Sequence, residues 1–239
     1  MNAKNRLIVA LDFHTLADVK KLVTALEEHV RYYKVGMELF YATGGEVVTW
    51  LKSEGKQVFV DLKLHDIPNT VASGLCSLMA LDADMVNVHA GGGFSMMETA
   101  VKCLREAAEN QGKKTPKIIA VTVLTSIGSD EWKELGHTLS IEETVLCYAK
   151  LAKKAGLDGV VSSPQEAKRI REACGDDFLI VTPGIRPIGA DINDQNRIAT
   201  PIVALKNGAT HLVIGRPIRA AEDPKLAAIH ILNEMEDVL

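Results

Sequence analysis

Short apolar runs rich in β-branched residues alternate with longer amphipathic stretches along the whole chain. The short runs have the length and composition of strands, and the longer stretches repeat their apolar positions with helical spacing. Eight strands are predicted in this way, at residues 6–13, 32–39, 57–64, 85–91, 117–125, 159–163, 178–184 and 211–215. Helices are predicted between them, including residues 16–29, 71–81, 95–111, 141–155 and 164–174. Ser140 with Glu143 forms a capping box, and Thr200-Pro201 is an N-cap followed by proline in the first turn.

The order of these elements predicts the fold. Strand–helix alternation favours parallel strands joined by right-handed crossovers. Eight such units without a linker indicate an α/β fold in which residues 1–239 form a single (β/α)8 TIM barrel. An open doubly wound sheet is the alternative, and the lack of a Gly-x-Gly-x-x-Gly motif after the first strand disfavours it. Two long connections, 126–139 and 185–199, follow strand ends where barrel enzymes place their active sites, so we interpret both as substrate-covering loops.

Charged residues occupy strand positions that face into the predicted barrel. One face of strand 57–64 is apolar and suits the outer helices, namely Val58, Val60, Leu62 and Leu64. The other face points inward and carries Phe59, Asp61 and Lys63. The same alternation in the second strand assigns Tyr33, Val35, Met37 and Leu39 to the helix side and turns Lys34 inward. Asp12 lies at the inward end of the first strand.

Four charges of alternating sign are therefore expected at one end of the barrel: Asp12, Lys34, Asp61 and Lys63. An unpaired charge at such a position is costly, because burial disfavours ionisation. Pairing offsets the cost but rarely improves on apolar packing, so a purely structural lattice is the weaker interpretation. We interpret the cluster as catalytic.

Asp66 and several histidines lie close to the same strand ends. Asp66 follows Lys63 by three residues and lies past the end of its strand, where it either covers the same cavity or reaches a neighbouring chain. His65 is an acid–base candidate, although a hydrogen-bonded supporting role is more common for such a histidine. His14 and His89 suggest a metal site, but Lys34 and Lys63 would repel a cation there, so no metal is expected.

The last two strands end in a pattern that suits phosphate. Strand seven leads into Gly184-Ile185-Arg186, and strand eight ends at Gly215-Arg216. Glycine allows close backbone approach, and arginine offers a bidentate fork to a phosphate, which barrels of this class often bind at loops seven and eight. Gln195, in the middle of the long loop, is a further uncharged donor.

Composition removes several function classes. Hydrophobic residues make up 47% and charged residues 24%, as in soluble globular chains. The 27 basic and 31 acidic residues give a net charge of −4 without a basic block, so we expect no nucleic-acid partner. No apolar run approaches the length of a membrane span, and the apolar run before Asp12 is too short for a signal peptide. With four scattered cysteines, we expect a cytoplasmic protein with reduced thiols.

The run from Asp61 to Thr70, Asp-Leu-Lys-Leu-His-Asp-Ile-Pro-Asn-Thr, closely resembles the signature of the orotidine 5′-phosphate decarboxylase family. Further matches follow in order along the chain: Val9-Ala10-Leu11-Asp12, Tyr33-Lys34-Val35-Gly36, Val121–Ser126, Thr182–Pro187 and Val213–Pro217. The resemblance covers essentially the whole barrel and is to the short bacterial form. It implies decarboxylation of orotidine 5′-phosphate to UMP in pyrimidine biosynthesis, without a cofactor. It also implies a homodimer whose active sites are shared across the interface.

The resemblance further implies a role for each matching residue. Lys63 would donate the proton to C6 of the pyrimidine, and Asp61 would lie beside the departing carboxylate. The remaining roles are assigned as follows: Asp66 and Thr70 entering from the partner subunit, Asp12 and Lys34 on the ribose, Thr125 (or its neighbour Ser126) on the pyrimidine, and Arg186, Gln195, Gly215 and Arg216 on the phosphate.

Two other functions compete with this one. A related sugar-phosphate decarboxylase, such as 3-keto-L-gulonate 6-phosphate decarboxylase, shares Asp-x-Lys-x-x-Asp but uses Mg²⁺. The continuation Ile67-Pro68-Asn69-Thr70 and the long loop after Arg186 disfavour it. A non-catalytic nucleotide-binding barrel would keep the phosphate arginines and lose the lysine or its carboxylates, whereas this chain has both.

Overall fold

Eight parallel strands close into a barrel in the computed structural model, which describes residues 2–187 and 198–238. Each strand pairs with the next one in sequence, and the last pairs with the first. The strands are β1 (Leu7–Ala10), β2 (Tyr32–Gly36), β3 (Gln57–Leu64), β4 (Met85–His89), β5 (Lys117–Val121), β6 (Gly159–Val161), β7 (Leu179–Thr182) and β8 (His211–Ile214). The predicted (β/α)8 barrel is confirmed.

Helices cover the outside of the barrel. In chain order they are α1 (Leu16–Leu26), α2 (Met37–Thr43), α3 (Glu46–Ser53), α4 (Pro68–Leu78), α5 (Gly93–Asn110), α6 (Ser129–Glu134), α7 (Ile141–Lys154), α8 (Ala167–Cys174), α9 (Pro201–Lys206), α10 (Arg216–Arg219) and α11 (Pro224–Glu236). The capping box of Ser140 and Glu143 begins α7, and Thr200 caps α9 ahead of Pro201, as predicted. None of the helices in the described ranges is long and apolar enough to cross a membrane.

Alternation along the strands separates two apolar clusters. Val58 and Val60 face outward into the large cluster shared with the helices, and Leu62 and Leu64 pack against it. The barrel interior holds a smaller cluster, formed by Ile8, Ala10, Tyr32, Phe59, Met85, Ile119, Val181 and Val213. This interior plug fills the barrel from below, so the polar residues collect above it at the carboxyl ends of the strands.

The second strand is shorter than predicted. It ends at Gly36, and Met37 begins helix α2, so Met37 and Leu39 are not strand residues. Leu39 is fully buried, but Met37 is 44% exposed and does not pack in the barrel wall. The alternation of apolar positions continues from β2 into α2, through Tyr33, Val35, Met37 and Leu39, and it therefore placed the strand end too late.

The two long connections differ from simple loops in the described residues. The fifth strand ends at Val121 rather than at residue 125, and the connection after it contains helix α6. In the connection after β7, Ile185 forms an isolated parallel bridge with Ala199.

The four cysteines are free thiols. The sulfur atoms of Cys76 in α4 and Cys103 in α5 are 2.9 Å apart.

Candidate active site

A cavity of about 270 Å³ opens at the carboxyl ends of the strands. Its floor and walls are largely apolar, and its polar groups enter from β2, β3 and the segments after β5 and β6. The lining residues are Lys34, Phe59, Asp61, Lys63, Val121, Val123, Leu124, Thr125, Ser126, Val161, Ser162, Pro183 and Val213. An apolar pocket with a few converging charges is the usual form of a small-molecule site.

Four charged side chains form a row of consecutive ion pairs beside this cavity. The Lys34 Nζ lies 3.2 Å from Asp12 Oδ1 and 3.3 Å from Asp61 Oδ2. The Lys63 Nζ lies 2.8 Å from Asp61 Oδ1. The side chains of Lys34 and Asp61 are only 12% and 10% exposed, whereas Lys63 is 26% exposed and reaches the cavity. The predicted convergence of the four charges is confirmed.

Neighbouring charges keep the two buried side chains of this row, Lys34 and Asp61, ionised. Burial raises the pKa of Asp61, but the charges of Lys34 and Lys63 and hydrogen bonds to its carboxylate outweigh burial and hold the pKa below its usual value. Burial lowers the pKa of Lys34, but the carboxylates of Asp61 and Asp12 outweigh it and raise the pKa above its usual value. A fixed ammonium and carboxylate pair therefore faces the cavity at neutral pH.

Two glycines lie next to these charges, and one of them leaves space for the Lys34 ammonium. A Cβ at position 36 would lie 2.9 Å from the Lys34 Nζ, a distance too short for any other residue without displacing the ammonium. A Cβ at position 215 would lie 3.5 Å from Asp12 Oδ2 and 3.4 Å from the Cβ of Ala10. Gly215, predicted as a phosphate contact, is thus placed beside Asp12 at the end of β8.

The backbone of Lys63 is irregular. Val60 pairs with Val86 and Leu64 with Val88, so four steps along β3 match two steps along β4. Within this bulge Lys63 has φ +51°, in the left-handed region that residues with a Cβ rarely adopt. Its backbone N–H donates to the Asn87 side chain (2.8 Å to Oδ1), and Asn87 Nδ2 donates to Asp61 Oδ1 at 2.7 Å.

Asn87 is a functional candidate that the sequence analysis missed. It is 1% exposed and lies between Val86 and Val88 in β4. A single amide within an otherwise apolar buried strand was the available signal, because a buried amide needs partners on the neighbouring strands.

Asp66 and Thr70 do not enter the cavity of their own chain. Both are exposed, with Asp66 just before α4 and Thr70 in its first turn. Asp66 Oδ1 accepts a hydrogen bond from the backbone N–H of Ile67 at 2.6 Å. Ile67 itself is 67% exposed, which is high for a large apolar side chain. Neither Asp66 nor Thr70 is among the residues that line the cavity.

Of the remaining predicted residues, two line the cavity and two lie after neighbouring strands. Thr125 is buried and Ser126 exposed, and both line the cavity. Arg186 is buried and donates through Nη1 to the carbonyl of Ile185 at 3.0 Å. Arg216 begins α10 at the end of β8. Neither arginine is part of the cavity lining in the described residues, and Gln195 lies outside those residues.

The histidines near the strand ends do not form a common site. His14 pairs with Glu38 at 3.1 Å on the surface, whereas His65 stacks on His89 with ring centroids 5.3 Å apart. Burial lowers the pKa of His89, and the charges of His65 and Lys63 add to this. Across residues 2–187 and 198–238, no three histidine, cysteine or carboxylate side chains are grouped to hold a metal ion.

Comparison with known proteins identifies the family. The model of the orotidine 5′-phosphate decarboxylase / HUMPS family matches residues 5–231. The orotidine 5′-phosphate decarboxylase of Moorella thermoacetica is 51% identical over 239 residues, covering 100% of this chain and 95% of that protein. The Bacillus cereus enzyme of the same name is 50% identical over 233 residues, covering 97% of this chain and 98% of that protein. The crystal structure of orotidine 5′-phosphate decarboxylase from Lactobacillus acidophilus superposes with a TM-score of 0.85 at 44% identity, covering 96% of this chain and 98% of that one. The chain belongs to the orotidine 5′-phosphate decarboxylase / HUMPS family.

Proposed function

We propose that this protein decarboxylates orotidine 5′-phosphate to UMP and CO₂ in pyrimidine biosynthesis, without a cofactor and with Lys63 as the proton donor. One observation carries the proposal. An ammonium held 2.8 Å from a buried carboxylate faces a largely apolar cavity in a chain whose relatives bear that enzyme's name.

The reaction requires positive charge at one carbon atom. When the bond from C6 to the carboxylate breaks, its electron pair stays on C6 in the plane of the ring, where the ring π-system does not delocalise it. The ammonium of Lys63 stabilises this carbanion and then transfers a proton to C6. UMP and CO₂ result, and the Lys63 amine regains its proton from water. The charge that a metal or an organic electron sink would supply comes from the lysine, so the proposal includes no cofactor.

Asp61 and Lys34 hold Lys63 in its charged and directed state. Asp61 lies beside the substrate carboxylate, and its ion pair aims Lys63 at the cavity. Lys34 neutralises the second oxygen of Asp61 and links it to Asp12. On the family resemblance we also assign Asp12 and Lys34 to the ribose hydroxyls, and Asp12 lies beside Gly215.

The ends of the substrate are assigned to the rim. Thr125, or its neighbour Ser126, contacts the pyrimidine from the segment after β5. Arg186, Gly215 and Arg216 bind the phosphate together with Gln195, on the family resemblance and on their places after β7 and β8. Energy from the phosphate contacts is then available to close the site around the reacting ring.

A homodimer completes the site in this proposal. Asp66 and Thr70 are exposed and lie outside the cavity of their own chain, so they are free to enter the site of a second copy. Ile67, which follows Asp66, is an exposed apolar side chain and supports a contact surface there. The eight strands form one closed barrel, so we treat residues 1–239 as one domain. We assign this domain to the cytoplasm, in keeping with its free thiols.

The test is a decarboxylation assay on the purified protein with orotidine 5′-phosphate labelled in the carboxylate, following release of labelled CO₂. We expect turnover that survives exhaustive EDTA treatment, while Lys63→Ala keeps its circular dichroism spectrum and loses turnover. Loss of turnover on EDTA treatment that Mg²⁺ restores contradicts the cofactor-free mechanism. Absence of turnover in the untreated wild type, with turnover of a 3-keto sugar phosphate instead, contradicts the substrate assignment.

A further inference from the structure

One buried amide ties together the two groups that the proposed reaction needs most. Asn87 Oδ1 accepts a hydrogen bond from the backbone N–H of Lys63, and Asn87 Nδ2 donates to Asp61 Oδ1. The same Asp61 oxygen accepts from the Lys63 Nζ at 2.8 Å. The donor end and the acceptor end of the amide are therefore both used, on two residues of the neighbouring strand.

The backbone conformation of Lys63 explains why these two hydrogen bonds are needed. The bulge in β3 removes the Lys63 N–H from the regular ladder with β4, and Lys63 adopts φ +51°. Unfavourable backbone conformations persist only where the surrounding structure enforces them, and they cluster at functional sites. Asn87 is 1% exposed, so water does not replace its two hydrogen bonds.

We propose that Asn87 is a positioning residue that holds the Lys63 backbone in its left-handed conformation and orients the Asp61 carboxylate, so that the ammonium of Lys63 points at the reacting carbon. The proposal rests on the proposed function for its kinetic consequences. Its geometric consequence, the conformation of Lys63, is independent of which substrate is turned over.

Residue types differ in their ability to replace this amide. Alanine provides neither hydrogen bond. Aspartate has the same shape, but its ionised form cannot donate to Asp61 and places a second negative charge against it. Once protonated, the introduced carboxyl group has one acceptor and one donor, as the amide has. Asn87→Asp is therefore expected to gain activity as the pH falls through the pKa of the introduced group.

Other ionisable groups surround position 87 and must be separated from this effect. Those close to it are Asp61 and Lys63 from β3, Lys34 from β2 through Asp61, and His89 on β4 itself, stacked on His65. From β5 the paired residue is the apolar Ile119. Wild type and Asn87→Ala contain all of these titrating groups, so any pH dependence that they cause is present in both.

The experiment compares wild type, Asn87→Ala and Asn87→Asp, with Asn207→Asp as a matched control. Asn207 Nδ2 donates to a backbone carbonyl, that of Pro164, at the end of α9 away from the cavity. For Asn87→Ala we expect kcat to fall by about 100-fold while KM changes by less than about threefold, because misplacing a reacting group affects the chemical step. Asn87→Asp should show low kcat at high pH and rising kcat at acidic pH, and Asn207→Asp should match wild type throughout.

A crystal structure of Asn87→Ala supplies the readout that does not depend on turnover. We expect Lys63 to leave φ near +51° and its Nζ to move away from Asp61. An unchanged Lys63 in that structure overturns the proposal, as does kcat of the folded variant within about twofold of wild type, too small for a misplaced reacting group. If Asn87→Ala does not fold, an Asn87→Asp profile that parallels wild type at every pH overturns it instead. Failure of the wild type to decarboxylate orotidine 5′-phosphate contradicts only the proposed function, and the structure of the variant still decides the role of Asn87.

Discussion

Replacing Lys34 with methionine removes the ammonium between Asp12 and Asp61 but keeps most of the apolar stem. The variant therefore changes charge more than volume. The Asp61 side chain is 10% exposed, so it cannot exchange its lost partner for bulk water. Lys63 and Asn87 still contact one of its oxygens, Oδ1, and the other loses its ion pair with Lys34. A buried carboxylate left partly compensated destabilises the folded state.

The distance in the structure sets the magnitude. Two unit charges 3.3 Å apart attract by about 5 kcal/mol at an effective dielectric constant of about 20. Losing one partner of a buried pair costs about 3–5 kcal/mol in practice. Since Asp61 keeps Lys63, we expect the lower end, about 3 kcal/mol of unfolding free energy at pH 7. The variant also loses the largest charge contribution that lowers the pKa of Asp61, so its deficit relative to wild type shrinks as the pH falls and Asp61 takes up a proton.

Urea unfolding followed by circular dichroism measures this deficit, with Lys102→Met as a matched control. Lys102 pairs with Glu98 at the same distance, 3.3 Å, but on an exposed helix surface, so its loss should cost about 0.5 kcal/mol or less. A double-mutant cycle of Lys34→Met with Asp61→Asn should give a coupling energy of at least about 1.5 kcal/mol. Equal deficits for Lys34→Met and Lys102→Met would refute the argument from burial.

Three further predictions concern phosphate, subunit sharing and acid stability. Arg216→Ala should lower kcat/KM for the nucleotide by about 10- to 100-fold, the loss of a charge-assisted hydrogen bond, with little effect on the unphosphorylated nucleoside; equal losses on both substrates in steady-state assays would rule out action through phosphate. Lys63→Ala and Asp66→Asn should each be inactive alone. Mixing the two proteins under subunit exchange should restore about a quarter of the active sites, because half of the dimers are mixed and each mixed dimer has one native site. If mass spectrometry verifies the exchange and activity does not recover, Asp66 serves its own chain. Burial, with the charge of Arg6, lowers the pKa of His211 to about 4. Between the ordinary pKa of histidine and about pH 4, His211 binds a proton in the unfolded chain but not in the folded chain. The free energy of unfolding therefore falls with falling pH by up to roughly 3 kcal/mol. Urea unfolding at several pH values should show a shallower fall in His211→Asn, and an unchanged fall contradicts the assignment.

The barrel and its four charges were predictable because each depends on a simple period. Strand–helix alternation repeated eight times leaves few topologies, and period-two alternation turns Lys34, Asp61 and Lys63 to the inside. Asp12 lies just past the end of β1, yet it is still brought to the cluster by its bond to Lys34. These inferences need only local pattern and the convergence of parallel strand ends.

The rest of the site depends on contacts that a single strand pattern does not contain. Asn87 is defined by what lies across from it on β3, and the left-handed backbone of Lys63 by an irregular pairing of two strands. The start of α2 at Met37 is similar, because Met37 and Leu39 continue the alternation of apolar positions in β2. Asp66 and Thr70 are exposed in their own chain, and the contacts proposed for them lie in the site of a second copy, which a strand pattern does not contain.

The inward-facing residues of β3 were assigned correctly despite the bulge, because the bulge inserts an even number of residues. A slip of one residue would turn every later side chain of the strand to the opposite face. Between Val60 and Leu64, however, β3 has two residues more than β4, and an even number preserves the alternation. Leu62 and Leu64 therefore still pack against the outer cluster, while Lys63 stays on the side of Asp61. The insertion moves the ammonium relative to β4 without turning it out of the barrel, which is how a strained backbone and a regular hydrophobic pattern exist in one strand.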